Sequence, residues 1–123
     1  MKPTPAERDA YIVEKILMYC DQIKETMIRF GTEKSVFLSD PIYRNAASLC
    51  VIQIGELSTH LTQEFRTEHP QILWRNIKDM RNIIAHRYGT LEPEKIWEVI
   101  TQDVPALRAC LEGKQESADD STL

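Results

Sequence analysis

"TPAERDAYIVEKILMYCDQIKETMIRFG", Thr4 to Gly31, decides the fold. It opens on Thr4-Pro5-Ala6-Glu7. The threonine hydroxyl can accept from the backbone three residues on, the glutamate can reach back, and proline stands where a helix has no use for an N–H. Apolar side chains then recur at Val13, Ile16, Cys20, Ile23, Met27 and Phe30. Steps of three and four gather them on one side of a helix, as a seam made to lie along a partner. Gly31 is the natural terminator. A helix of roughly 25 residues, about 38 Å long, cannot bury its own seam, so the rest of the chain must supply its partners.

Outward from that stretch the same grammar repeats. Gly31 to Asp40 has no clear period and reads as a connector. Asp40-Pro41 starts a second long helix carrying Ile42, Ala46, Leu49, Val51, Ile52, Ile54, Leu57, Leu61 and Phe65, ending at His69-Pro70. Its apolar residues fill more than one stripe, which predicts burial on two sides. Gly55 inside it is unfavourable for a helix unless another helix comes close there. A third helix runs from Gln71 to Arg87 with Leu73, Ile77, Met80 and Ile84 on one stripe and Gly89 as its stop. A fourth begins at Glu92-Pro93 and carries Ile96, Val99, Ile100, Val104, Leu107 and Leu111, with Pro105 set to kink or divide it. The expected fold is all-α: an up-and-down bundle of four to five helices over residues 1–111, then a disordered acidic tail, 112–123. Long helices in so small a domain leave lateral surface exposed, which predicts a homodimer.

Composition narrows the function classes. The chain has 123 residues, enough for one core, with 42% hydrophobic and 28% charged residues. No apolar run is long enough to span a membrane, and "MKPTPAERDAY" has no signal-peptide core, so a cytoplasmic location is expected. Cys20, Cys50 and Cys110 lie far apart within apolar helical patterns and read as reduced core thiols. They form no CxxC pair, and His60, His69 and His86 have no zinc-ligand spacing. The net charge of −4 opposes broad nucleic-acid binding. Its distribution is uneven: the tail from Glu112 carries −3, whereas Trp74 to Tyr88 carries Arg75, Lys78, Arg81 and Arg87 against Asp79, a net of +3.

That basic segment contains "DMRNIIAHRYGT", Asp79 to Thr90. At about 100° per residue, Arg81 and Tyr88 share a stripe beside the apolar cluster, while Asp79, Asn82 and His86 lie on the far side. Arg81 and His86 are then about 140° apart. They meet only around the helix end, through the long arginine side chain, or across a symmetric partner. A dimer axis near this end would gather two imidazoles and two guanidiniums in one cleft. Histidine suits the proton transfers of RNA cleavage at the 2′-hydroxyl, and arginine suits the pentacoordinate phosphate. No carboxylate cluster for a two-metal nuclease stands out. On spacing alone, the same residues also read as a solvated helix face, with Tyr88 packing at a helix end.

The segment from Trp74 to Leu107, "WRNIKDMRNIIAHRYGTLEPEKIWEVITQDVPAL", resembles the signature region of the HepT toxins of the HEPN superfamily. "YRNAASLCVIQIGE", Tyr43 to Glu56, is similar to that family's second-helix region. The resemblance spans about Arg8 to Leu111. It implies a dimeric helical endoribonuclease, the toxin of a type VII toxin–antitoxin pair, cutting RNA without a metal or cofactor of its own. The family's R-x4-H-x-Y motif is complete here. By that likeness Arg81 and His86 are catalytic, Asn82 is a supporting polar residue, and Tyr88 receives AMP from an MntA-like nucleotidyltransferase antitoxin. The ATP and Mg²⁺ belong to that partner. Arg44 is a further candidate for the cleft. The alternative is a non-catalytic helical dimer that serves as binding partner of a nucleotidyltransferase.

Overall fold

A computed structural model of the chain describes residues 1–113, and these are all-α. The elements are α1 (Pro5–Phe30), α2 (Lys34–Ser39), α3 (Pro41–Ser58), α4 (Gln63–Glu68), α5 (Trp74–Arg87), α6 (Pro93–Glu98), a π-helical segment (Val99–Asp103) and α7 (Val104–Leu111). Helix α1 packs along α3 and α3 along α5; α6, the π segment and α7 run on as one rod that returns against α1. Four main helices therefore form the bundle. No helix among the described residues is long and apolar enough to cross a membrane.

The first helix is built as its sequence predicts. Glu7 N–H donates to the Thr4 hydroxyl, 3.1 Å, and Thr4 N–H to the Glu7 carboxylate, 2.8 Å. Those two bonds hold the Glu7 carboxyl below its usual pKa. Ile16, Cys20 and Ile23 are buried, and Gly31 closes the helix at φ 125°, its N–H on the Met27 carbonyl. Burial pushes the Cys20 thiol up to about 12 and raises that of Cys50, as core thiols require.

Three expectations need correction. The connector after Gly31 contains α2, whose Phe37 is fully buried and meets Tyr43 edge-on at 4.9 Å and Trp97 at 5.3 Å. One turn of helix is too short to show a period, so its single inward aromatic gave no signal. The second helix is not one rod to His69: it stops at Ser58, turns, and restarts at Gln63 as α4, capped by Thr62. Buried Asp9 of α1 fixes that break by accepting from both the N–H (2.9 Å) and the hydroxyl (2.5 Å) of Thr62. Its Ile42 and Leu49, expected inside, are 68% and 57% exposed. The third helix starts at Trp74, with Leu73 exposed and Ile72 buried in its place.

Pro105 does not break the last helix. The chain passes through the π segment instead, where Val104 N–H bonds to the Val99 carbonyl five residues back. Widening the turn makes room for the ring, and the Thr101 hydroxyl takes the Trp97 carbonyl at 2.7 Å. Arg108 of α7 ties this rod to α1 through Asp21, 2.7 Å, and also holds Glu112, 2.8 Å. Of the expected tail, 112–123, the part from residue 114 lies outside the described residues.

Candidate active site

Helices α3 and α5 lie against each other with almost no space between them at one point. A Cβ placed on Gly55 would stand 2.3 Å from Cβ and 2.7 Å from Cγ of Arg81. The glycine that weakens α3 as a helix is therefore what lets α5 come close, as the sequence predicts. The crossing presses the Arg81 stem onto the α3 backbone, buries its Nε, and sends the guanidinium along α3 to Glu56, Nη2 to Oε2 at 3.4 Å. Glu56 also meets His60 at 3.6 Å. The Arg81 side chain is 22% exposed.

The arginine is held but not saturated. Its guanidinium has five N–H donors, and one half-exposed carboxylate engages it. A pair of that kind is worth about 0–1 kcal/mol. A phosphate, which takes two arginine donors in a charge-assisted fork, is a stronger partner and can displace the carboxylate. Nε has no partner among the described residues.

Tyr88 ends α5, and its hydroxyl donates to the Asn45 side-chain oxygen near the start of α3. Both ends of the motif are thereby bonded to one stripe of α3: Tyr88 to Asn45 and Arg81 to Glu56. The exposed Leu49 stands between them on that stripe, and the exposed Ile42 about one turn before Asn45. Asn45 and Glu56 were missed in the sequence. They are eleven residues apart, three turns of helix, and a wheel of the second helix would have set both polar residues among its apolar ones.

His86 lies elsewhere. Helix α5 is unbroken from Trp74 to Arg87, so the angle between Arg81 and His86 stays near 140°, and His86 is exposed on the outer face. Within one subunit the structure does not bring the two together. Asn82, one turn before His86, lines an open cleft of about 610 Å³ with Arg66, Arg75 and Lys78. Ala85 falls in the sector between Arg81 and His86 and leaves the helix surface low there. Gly89 lies in a turn without a left-handed backbone, so it stops the helix by a route other than the expected glycine cap. Arg44 is spent on structure: its guanidinium donates to the carbonyls of Phe37 and Leu38, 3.3 and 2.5 Å, and closes α2. Among the described residues no group of three or more His, Cys, Asp or Glu is placed to hold a metal ion.

A family model described as "Ribonuclease HepT-like" matches residues 16–113. A protein of Caldanaerobacter subterraneus named "Putative RNase" is 32% identical over 95 residues, 77% of this chain and 83% of that protein. A protein of Thermococcus cleftensis named "Probable ribonuclease HepT" is 30% identical over 76 residues, 62% of this chain and 69% of that protein. No solved structure matches the chain.

Proposed function

The chain belongs to the HepT-like ribonuclease family, and from that premise we propose that it is the toxin of a toxin–antitoxin pair, an endoribonuclease whose active site is shared by two copies. The observation that carries this reading is the α3 stripe, with Arg81 and Tyr88 bonded to its two ends and bare Ile42 and Leu49 beside them. A second copy laid on that stripe covers the apolar side chains. It also brings its own α5 end against this one, which is the way an Arg81 and a His86 that diverge in one subunit come to face the same phosphate.

The chemistry needs only these groups. An imidazole takes the proton of the RNA 2′-hydroxyl, and the 2′-oxygen attacks the adjacent phosphorus. The bond from phosphorus to the 5′-oxygen breaks, and the same imidazole, now protonated, gives that oxygen its proton. The products are a 2′,3′-cyclic phosphate and a free 5′-hydroxyl. Arg81 neutralises the charge that builds on the phosphate oxygens, and Asn82 supports the substrate beside it. No step calls on a metal.

Tyr88 is the point of control. Its hydroxyl is at the surface and donates a hydrogen bond to the Asn45 side-chain oxygen, which fixes the direction in which the phenol oxygen presents its lone pairs. A nucleotidyltransferase using ATP and Mg²⁺ would join that oxygen to the α-phosphorus, the phenol losing its proton to solvent and pyrophosphate leaving. AMP there adds bulk and negative charge on the stripe that Arg81 shares, opposing both RNA and the second copy.

The test compares wild type with His86→Ala, in cells and with purified RNA. The expected result is growth arrest and RNA cleavage by the wild type, neither by the variant, and equal melting temperatures, because His86 is exposed. Equal arrest by both proteins sinks the reading. One observation favours the alternative, a non-catalytic dimer that binds a nucleotidyltransferase: in a single subunit Arg81 rests on Glu56 and His86 has no partner among the described residues. Purified wild type that binds the partner and leaves RNA intact selects that reading.

A further inference from the structure

We propose that the open cleft between α4 and the outer face of α5 is a groove for single-stranded RNA, holding the nucleotides next to the bond that is cut. The inference rests on the ribonuclease reading for its purpose, but the groove has its own evidence. Arg66 of α4 and Arg75 and Lys78 of α5 line it, with Asp79 as the one acid. Among the described residues none of the three cations is engaged in an ion pair. In a chain of net charge −4, three unspent cations around one cleft are where a polyanion finds local attraction.

The layout fits a strand. Lys78, Asn82, Arg75 and His86 fall within about 80° of one another around α5, in one continuous band. From Arg75 to His86 is about 16 Å along the axis, the reach of several nucleotides. A backbone seated on the cations therefore passes Asn82 and arrives at the imidazole. Asn82 is a positioning residue in this arrangement. Its amide can donate to a phosphate or accept from a ribose hydroxyl at the last turn before His86.

Trp74 distinguishes a single strand from a rigid duplex. Its indole N–H donates to the carbonyls of both Arg66 and His69, 3.2 Å each, and Phe65 packs against it edge-on at 6.2 Å. The ring is thus fixed, half-buried, at the wall of the cleft beside the cations. A held aromatic plane is a platform for an unpaired base, and it is indifferent to sequence. In a duplex the bases are already stacked and cannot use it.

The experiment uses the full chain carrying His86→Ala, so that RNA stays intact, and a labelled single-stranded RNA of about 15 nucleotides in a salt titration. Arg75→Gln/Lys78→Gln, alone and with Arg66→Gln, are measured beside it. These side chains are exposed or half-buried, so melting temperatures should match, and the double variant stands if the triple one does not fold. Affinity should fall at least about tenfold and the slope of log K against log salt should shrink by about 1.4 for the pair and about 2 for all three. With His86 restored, kcat/KM should drop for the long RNA and stay unchanged for a dinucleoside monophosphate too short to enter the groove. Unchanged affinity and slope in folded variants overturn the groove. Equal losses on long and short substrates also overturn it and leave the ribonuclease reading intact. RNA binding that depends on the cations without any cleavage by wild type supports the groove and removes the ribonuclease reading.

Discussion

Gly55 and Arg81 form a close contact on which the site depends, and two opposed effects act on it. Adding a methyl at Gly55 favours the α3 helix by about 1 kcal/mol. It also drives a carbon to 2.3 Å from Arg81 Cβ, an atom that no rotamer can move aside. Overpacking of that kind costs about 1–3 kcal/mol and forces the helices apart. The clash wins, so Gly55→Ala should lower stability by up to about 2 kcal/mol in a denaturant titration, and RNA cleavage should fall further than the melting temperature accounts for, because Arg81 moves with α5. Gly89→Ala is the control: nothing lies within 4 Å of the added methyl and the backbone is not left-handed, so stability and cleavage should both hold. Gly55 was legible in the sequence as a glycine that needed a neighbour. That the neighbour is Arg81 was not, because a helical pattern gives the phase of a helix and not the height at which another crosses it.

Elements followed the same division. Capping residues and long apolar periods mark α1 and the start of α3 plainly, since those signals are local. The break at 59–62 is enforced from far away, by Asp9, 53 residues earlier. Thr62 does cap α4, its hydroxyl accepting from Phe65 N–H, but the apolar pattern continues through Leu61 and Phe65 as though one helix ran on. Asp9→Ala strands the Thr62 backbone N–H and the hydrogen of its hydroxyl, whose oxygen still accepts from Phe65 N–H, in a partly buried turn, and should cost about 1–3 kcal/mol. The loss should concentrate in α4: hydrogen exchange there should speed up before that of α1 or α5 does. Because Arg66 sits on α4 and α5 carries the other cations, the RNA groove should weaken while Arg81, seated on α3, stays in place. If exchange rises uniformly across the bundle, Asp9 contributes only to global stability and does not define the α4 turn. The π segment shows the same limit in reverse. Pro105 signalled an interruption correctly, but its form depended on packing of Val99, Ile100 and Val104 into the core, which favours widening one turn over abandoning the helix.

At the scale of the whole molecule one geometric fact governs the rest: a straight α5 keeps Arg81 and His86 of the same chain on different faces. If the working pair is formed across two copies, two inactive proteins can repair each other. In a mixture of Arg81→Ala with His86→Ala, a mixed dimer has one site with both substitutions and one with the arginine of one chain facing the histidine of the other. Equal mixing makes about half of the dimers mixed, each with one of two sites intact, so activity should return to roughly a quarter of wild type. Each variant alone should stay inactive at any concentration. A site formed within one chain predicts no recovery, because neither partner holds both groups. Leu49→Asp provides the second arm. A charge in the middle of the bare α3 stripe should prevent pairing, leaving a folded monomer in sedimentation, since Leu49 is already 57% exposed and adds little to the core. Introduced into both members of the mixture, it should abolish the recovery. Recovery that survives a monomer-forming substitution would mean that the groups meet in some way other than across this stripe. The sequence singles out the motif residues and offers a symmetric partner as one way for them to meet; a single chain shows their divergence on α5 and the bare surface that a second copy would cover.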